Sequence, residues 1–165
     1  MNPTYNLQAI SDGPEGIRQT LKIMAKMAKK YKASPVIREL ALTLLYDCPE
    51  KQWSKEVRCL LHFVQNHIKY RKDINGVETI QSPVQTLRLR QGDCDDKSLL
   101  LASLLESVGH PARFFAVGQI KGSFSHVLVE TKLAGKWVPA ETIMPWPLGK
   151  GPKNIKSIMV EHIKR

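Results

Sequence analysis

The sequence is short of cysteine, of aromatic residues and of long apolar runs, and each shortage removes a class of protein. Three cysteines (Cys48, Cys59 and Cys94) are too few for a disulfide framework and suit a reducing compartment. None stands in a C-x-x-C pair and the five histidines are scattered, so zinc spacing is absent. No metal and no organic cofactor is expected. No apolar stretch approaches the roughly 18–20 residues that span a bilayer. The segment Met1-Asn2-Pro3-Thr4-Tyr5-Asn6 lacks a basic stretch followed by an apolar one, so no signal peptide is expected and the cytoplasm is the expected location. Acidic residues are scarce too: 15 against 25 Lys and Arg, a net charge of +10. That balance favours contact with polyanions. The basic residues are nevertheless spread over the first helix, Lys69 to Lys72, Arg88 to Arg90 and the C-terminal tail, without a nucleic-acid-binding motif. They read first as a solvated surface. The alternative is a docking face for nucleic acid, an acidic protein or an anionic cell-wall polymer.

What is present is a chain of 165 residues, 42% apolar, long enough to bury a core as one domain. Residues 1–13 read as an irregular arm. Asp12-Gly13-Pro14 opens a helix with Ile17, Leu21, Met24, Ala28 and Tyr31 on one stripe, flanked by lysines. A membrane-surface helix is the lesser reading of that pattern. Ser34-Pro35 starts a second helix, expected to end near Cys48-Pro49, and Ser54 caps a third carrying Val57, Leu60, Leu61, Val64 and Ile68. Cys59, His62 and His67 on that helix read as core or surface residues. Residues 14–68 thus form a helical part. Asn75-Gly76 is a turn signal with short extended pieces beside it. Ser82-Pro83 begins a short helix that stops at Gly92. After the next helix, strands are expected from Arg113 to Gly118, from His126 and from Lys136. Met144 to Pro152 is too proline-rich for helix or central strand and is expected to cover one end of the sheet. Asn154 to His162 is a candidate edge strand. The order predicts an α+β fold, with N-terminal helices and a nucleophile-bearing helix packed on an antiparallel sheet.

The chemistry gathers at Gln91-Gly92-Asp93-Cys94-Asp95-Asp96-Lys97. Asp93 is an N-cap, and Leu100, Leu101, Leu104, Leu105 and Val108 recur at helical spacing until Gly109. Cys94 therefore opens a mostly buried helix. There the helix dipole and free amides favour a thiolate, and the same amides can stabilise an oxyanion. Asp93, Asp95 and Asp96 oppose the thiolate, so this cysteine needs a histidine. His126 begins an alternating strand. Glu141 ends the next strand after the Ala134-Gly135 turn, 15 residues on, which places both at one end of a hairpin. The three residues are nucleophile, base and orienter. The Cys94 amide is one oxyanion donor. Gln85, Gln91 and Tyr70 are all chemically able to supply the second, and the sequence does not choose among them. Asp96 is expected to hold the helix start, paired with Lys97, Arg88 or Arg90, rather than to bind a cation.

From about Tyr70 to Glu141 the chain resembles the transglutaminase-like superfamily, a papain-like cysteine fold. The residues that carry this are Ser82-Pro83 with Thr86-Leu87, Gly92-Asp93-Cys94, Leu99 to Leu105, Gly109-His110-Pro111-Ala112-Arg113, Ser125-His126-Val127, and Trp137 with the carboxylate after it. The "GDCDD" run makes it most similar to short members from tailed phages and prophages. The resemblance implies a core over 70–143, with 144–165 as a Pro-rich loop and tail. It implies acyl transfer on a carboxamide or peptide bond, with a protein or peptide substrate and water or an amine as acceptor. The family has aspartate in the third role, where this chain has Glu141. A binding or structural module, such as a phage particle or assembly component in the host cytoplasm or virion, is the other reading. A nucleic-acid binder stands third.

Overall fold

The computed structural model describes residues 8–49, 51–73 and 78–165. Most of the N-terminal arm and the Asn75-Gly76 turn lie outside the described residues. Five helices are described: α1 (Gly13–Tyr31), α2 (Pro35–Leu44), α3 (Trp53–His67), α4 (Pro83–Leu89) and α5 (Cys94–Ser107). Strands β3 (Ala112–Gly118), β4 (His126–Leu133), β5 (Lys136–Ala140) and β6 (Ser157–His162) form an antiparallel sheet ordered β5-β4-β3-β6. The fold is α+β, as the element order predicts.

Helix α5 occupies the centre. Its side chains from Leu99 to Leu105 are completely buried, without the one-sided stripe of a surface helix. It touches α1, α2, α3 and α4 on its outer sides and β3 and β4 on the other. Register explains which strand residues meet it. Phe114 pairs with Val129 and Ala116 with Val127, and all four join the core around α5. Helix α1 lays Leu21, Met24 and Ala28 into the same core and packs on α5, β3 and β6. Its apolar stripe is therefore consumed inside the protein, which removes the membrane-surface reading.

Several boundaries differ from the expectations. Helix α2 ends at Leu44 and hands over to turns, well short of Cys48-Pro49. Ser34 holds the N-cap position but its side chain makes no cap bond. Helix α3 begins at Trp53 after Gln52, so Ser54 lies inside the first turn and caps nothing. The residues before Cys94 are more than a turn. Gln91–Gly92 is a short strand (β2) paired in parallel with Lys69–Tyr70 (β1), Tyr70 opposite Gly92. Arg90, at φ 53°, supplies the left-handed residue that ends α4 just before it. Among the described residues, no helix is long and apolar enough to cross a membrane.

Candidate active site

Asp93 caps α5 as expected and closes a reciprocal box. Its Oδ1 accepts the Asp96 amide at 3.0 Å, and its own amide donates to Asp96 Oδ2 at 3.2 Å. The pairing expected for Asp96 with Lys97, Arg88 or Arg90 is not what forms. Asp96 accepts from Gln81 instead, through the backbone amide at 2.8 Å and Nε2 at 2.8 Å. Gly92 makes this possible. A Cβ built there would lie 2.6 Å from Asp96 Cβ and 3.2 Å from Gln81 Nε2, so only glycine lets the strand pass. Lys97 turns the other way, into the interior. It is 2% exposed and donates to Ile68 O at 2.6 Å. Burial pulls its ammonium down to about 8, and the negative charge of Glu141 opposes that drop.

Cys94 is the first residue of α5 and is half-buried. Residues one helical turn apart share a face. Here that face meets β4, where Ser98 Oγ donates to Val127 O at 3.1 Å. Burial pushes the Cys94 thiol up, and the Asp95 charge adds to it, while the Val127 backbone pulls the other way. The sulfur thus sits beside the residue that follows His126. The hydrogen bond it makes is to Asp95 Oδ1 at 3.7 Å, and none joins it to the His126 ring among the described residues.

His126 opens β4, opposite Val117 of β3. Its Nε2 lies 2.6 Å from Glu141 Oε2. Glu141 directly follows β5 and is 1% exposed, and its second oxygen accepts the Ile143 amide at 2.8 Å. Both carboxylate oxygens are therefore occupied. A proton on Nε2 satisfies the carboxylate and leaves Nδ1 as the ring's free lone pair. The segment after Glu141 is held by a residue the sequence did not single out. Gln65 Nε2, on α3, donates to Glu141 O at 2.8 Å, Trp146 O at 2.9 Å and Met144 O at 3.2 Å. No local pattern reveals such a role, because the partners lie more than 70 residues away. A cavity of about 310 Å³ opens beside the pair, lined by Ser125, His126, Glu141, Ile143, Met144 and Trp146 among others. Met144, Trp146 and Pro152 of the Pro-rich segment border it.

The oxyanion candidates separate by position. The Cys94 amide lies in the first turn of α5, where amides lack intrahelical partners. Tyr70 stands across the β1–β2 pair from Gly92. Its side chain is about half exposed, at 53%, and its phenol is pushed up by partial desolvation and then by the charge of Cys94. Gln91 is in register with Lys69, and Gln85 lies on α4 with its amide donating to Ser82 Oγ. Neither glutamine side chain has a hydrogen bond to Cys94 among the described residues. No group of three or more His, Cys, Asp or Glu among the described residues is arranged to hold a metal ion.

No curated protein matches the sequence. Two of the solved structures that match illustrate the shared fold. A proposed cysteine protease of Cytophaga hutchinsonii aligns with 80% of this chain and 48% of its own, at 20% identity and a TM-score of 0.57. A proposed protease of Parabacteroides distasonis aligns with 78% of this chain and 27% of its own, at 17% identity and a TM-score of 0.56. The chain spans about half, or less, of the length of these structures. The family description "Transglutaminase-like superfamily" matches residues 42–142, a stretch that takes in Cys94, His126 and Glu141 and covers more than half of the sequence. The chain belongs to the transglutaminase-like superfamily.

Proposed function

We propose that the protein is a cysteine-dependent acyl-transfer enzyme acting on a carboxamide or peptide bond of a protein or peptide substrate. The observation that carries this reading is the 2.6 Å contact between His126 Nε2 and the buried Glu141 carboxylate. A carboxylate on Nε2 fixes the tautomer in which Nδ1 is the base. In this reading the Cys94 side chain turns from Asp95 toward Nδ1 and passes its proton to the ring. The sulfur then attacks the substrate carbonyl. The free amides at the start of α5, with the Tyr70 hydroxyl, face the oxyanion. His126 returns the proton to the leaving amine, and the thioester passes to water or to a second amine. Glu141 holds the imidazolium during both steps. The Glu141 charge in turn favours the ammonium form of the buried Lys97.

A thiol-directed acylating probe tests this. Wild-type protein is expected to be labelled at Cys94, and Cys94→Ala and His126→Ala each to lose the label. Equal labelling of the Cys94→Ala protein ends the proposal. A second reading, a catalytically silent module of a phage particle or assembly, is favoured by one observation: the sulfur bonds to Asp95 rather than to the imidazole. Under that reading Cys94 stays unlabelled in folded wild-type protein and reacts only after denaturation.

A further inference from the structure

The two cysteines outside the site stand together. Cys48 lies in the turns that follow α2, its amide donating to Leu45 O at 2.9 Å, and Cys59 sits on α3. Their Sγ atoms are 2.9 Å apart, and both side chains are half-buried. Cys59 also lines a surface cavity of about 400 Å³ with Arg58, His62, Gln65, Trp146 and Leu148, so small solutes reach Cys59 from solvent. No third ligand joins them to make a metal site among the described residues. We propose that Cys48 and Cys59 are a modification site that closes into a reversible intrachain disulfide when a low-molecular-weight disulfide is the oxidant.

The chemistry is thiol–disulfide exchange. One protein thiolate attacks a sulfur of the small disulfide and releases one small thiol. The second protein thiol, deprotonated, attacks the mixed disulfide and releases the other. The new bond is Cys48 Sγ–Cys59 Sγ, and the two electrons leave on two molecules of small thiol. Sharing a hydrogen bond with Cys59, together with burial, pushes the Cys48 thiol up to about 11, so Cys48 holds its proton at neutral pH. A single bridge is compatible with a cysteine-poor chain, since it switches one joint rather than building a framework. The joint it would lock is the α2–α3 connection, and α3 is the helix whose Gln65 holds the Glu141 segment.

Trypsin separates the two cysteines, because Lys51, Lys55 and Arg58 lie between them. The reduced wild-type protein is treated with oxidised glutathione, the remaining thiols are alkylated, and the tryptic peptides are weighed. The expected result is one linked pair joining the Cys48 and Cys59 peptides, lost after dithiothreitol. In Cys48→Ser protein, Cys59 is expected to carry glutathione instead. Recovery of Cys48 and Cys59 as separately alkylated or separately glutathionylated peptides from oxidised wild-type protein overturns the proposal. Linkage of either one to Cys94 does the same.

Discussion

Asp95 is the residue with the most direct hold on the sulfur, as the acceptor of its hydrogen bond and the largest cause after burial of its raised thiol. Removing that charge while keeping the shape should ease ionisation. Asp95→Asn is expected to raise the rate of Cys94 alkylation by iodoacetamide at neutral pH by about tenfold, the effect of roughly one pKa unit. An unchanged rate would mean that burial alone sets the thiol. Gly92 supports a second test. A methyl group there meets the carboxylate side chain of Asp96 and the amide of Gln81. Gly92→Ala is expected to cost about 1–3 kcal/mol in urea unfolding, because it overpacks a capped helix start. Residues of this kind divide into readable and unreadable. Asp93 as cap and Gly109 as stop follow from local backbone chemistry, and the structure has both, Gly109 at φ +89°. Asp96 does hold the helix start, but a cation nearby in sequence is not its partner. Its partner, Gln81, comes from the irregular segment before α4, which no periodicity announces.

Among the elements, the helices and the long strands were legible because their apolar residues repeat at the helical or alternating period. Helix starts were less so. Ser54 resembles a cap, yet the chain enters α3 two residues earlier, at Gln52, and capping preference is too weak to decide against packing. The two-residue parallel pair β1–β2 was invisible for a plainer reason: it has no length over which a pattern can accumulate. The hairpin spacing did bring His126 and Glu141 to one end of the sheet, since β4 and β5 pair in antiparallel register up to Ala140. What fixes the end of that hairpin is α3. Gln65→Ala removes three hydrogen bonds to the 141–146 segment. The Ile143 amide, bonded to Glu141 Oε1, is then expected to exchange its hydrogen about tenfold faster, the scale of one lost bond of ~1.4 kcal/mol. Core amides such as Val129 should keep their protection. Equal loosening of both would make Gln65 a general prop rather than a latch on this segment.

At the scale of the whole molecule, the buried charges around α5 set an unusual dependence of stability on pH. Burial first, then the charge of Asp96, raises Asp93 to about 8 and Asp95 to about 6, from an ordinary 3.8. A raised carboxyl means that the folded state holds protons the unfolded chain has already lost. Its stabilising share is complete below the unfolded value and drains away as pH climbs through the folded one. Stability is therefore expected to fall between about pH 4 and pH 8. Lys97 has the opposite sign. Its folded value of about 8 lies below the unfolded 10.5, so stability recovers as pH rises across that interval. Urea midpoints measured across this range should pass through a minimum near pH 8, and Asp95→Asn should flatten the acidic limb. A midpoint that rises from pH 5 to pH 8 would contradict the account.

The order in which these parts leave a ribosome carries its own consequence. Cys94 is translated well before His126, and Glu141 comes after both, with the carbonyls that Gln65 grips later still. A domain folds as a unit, so an incomplete chain lacks the contacts of its later strands. A half-made chain thus carries its sulfur without the imidazole–carboxylate pair beside it. The acyl transfer proposed above, which depends on the pair, would have to wait until synthesis has passed Trp146.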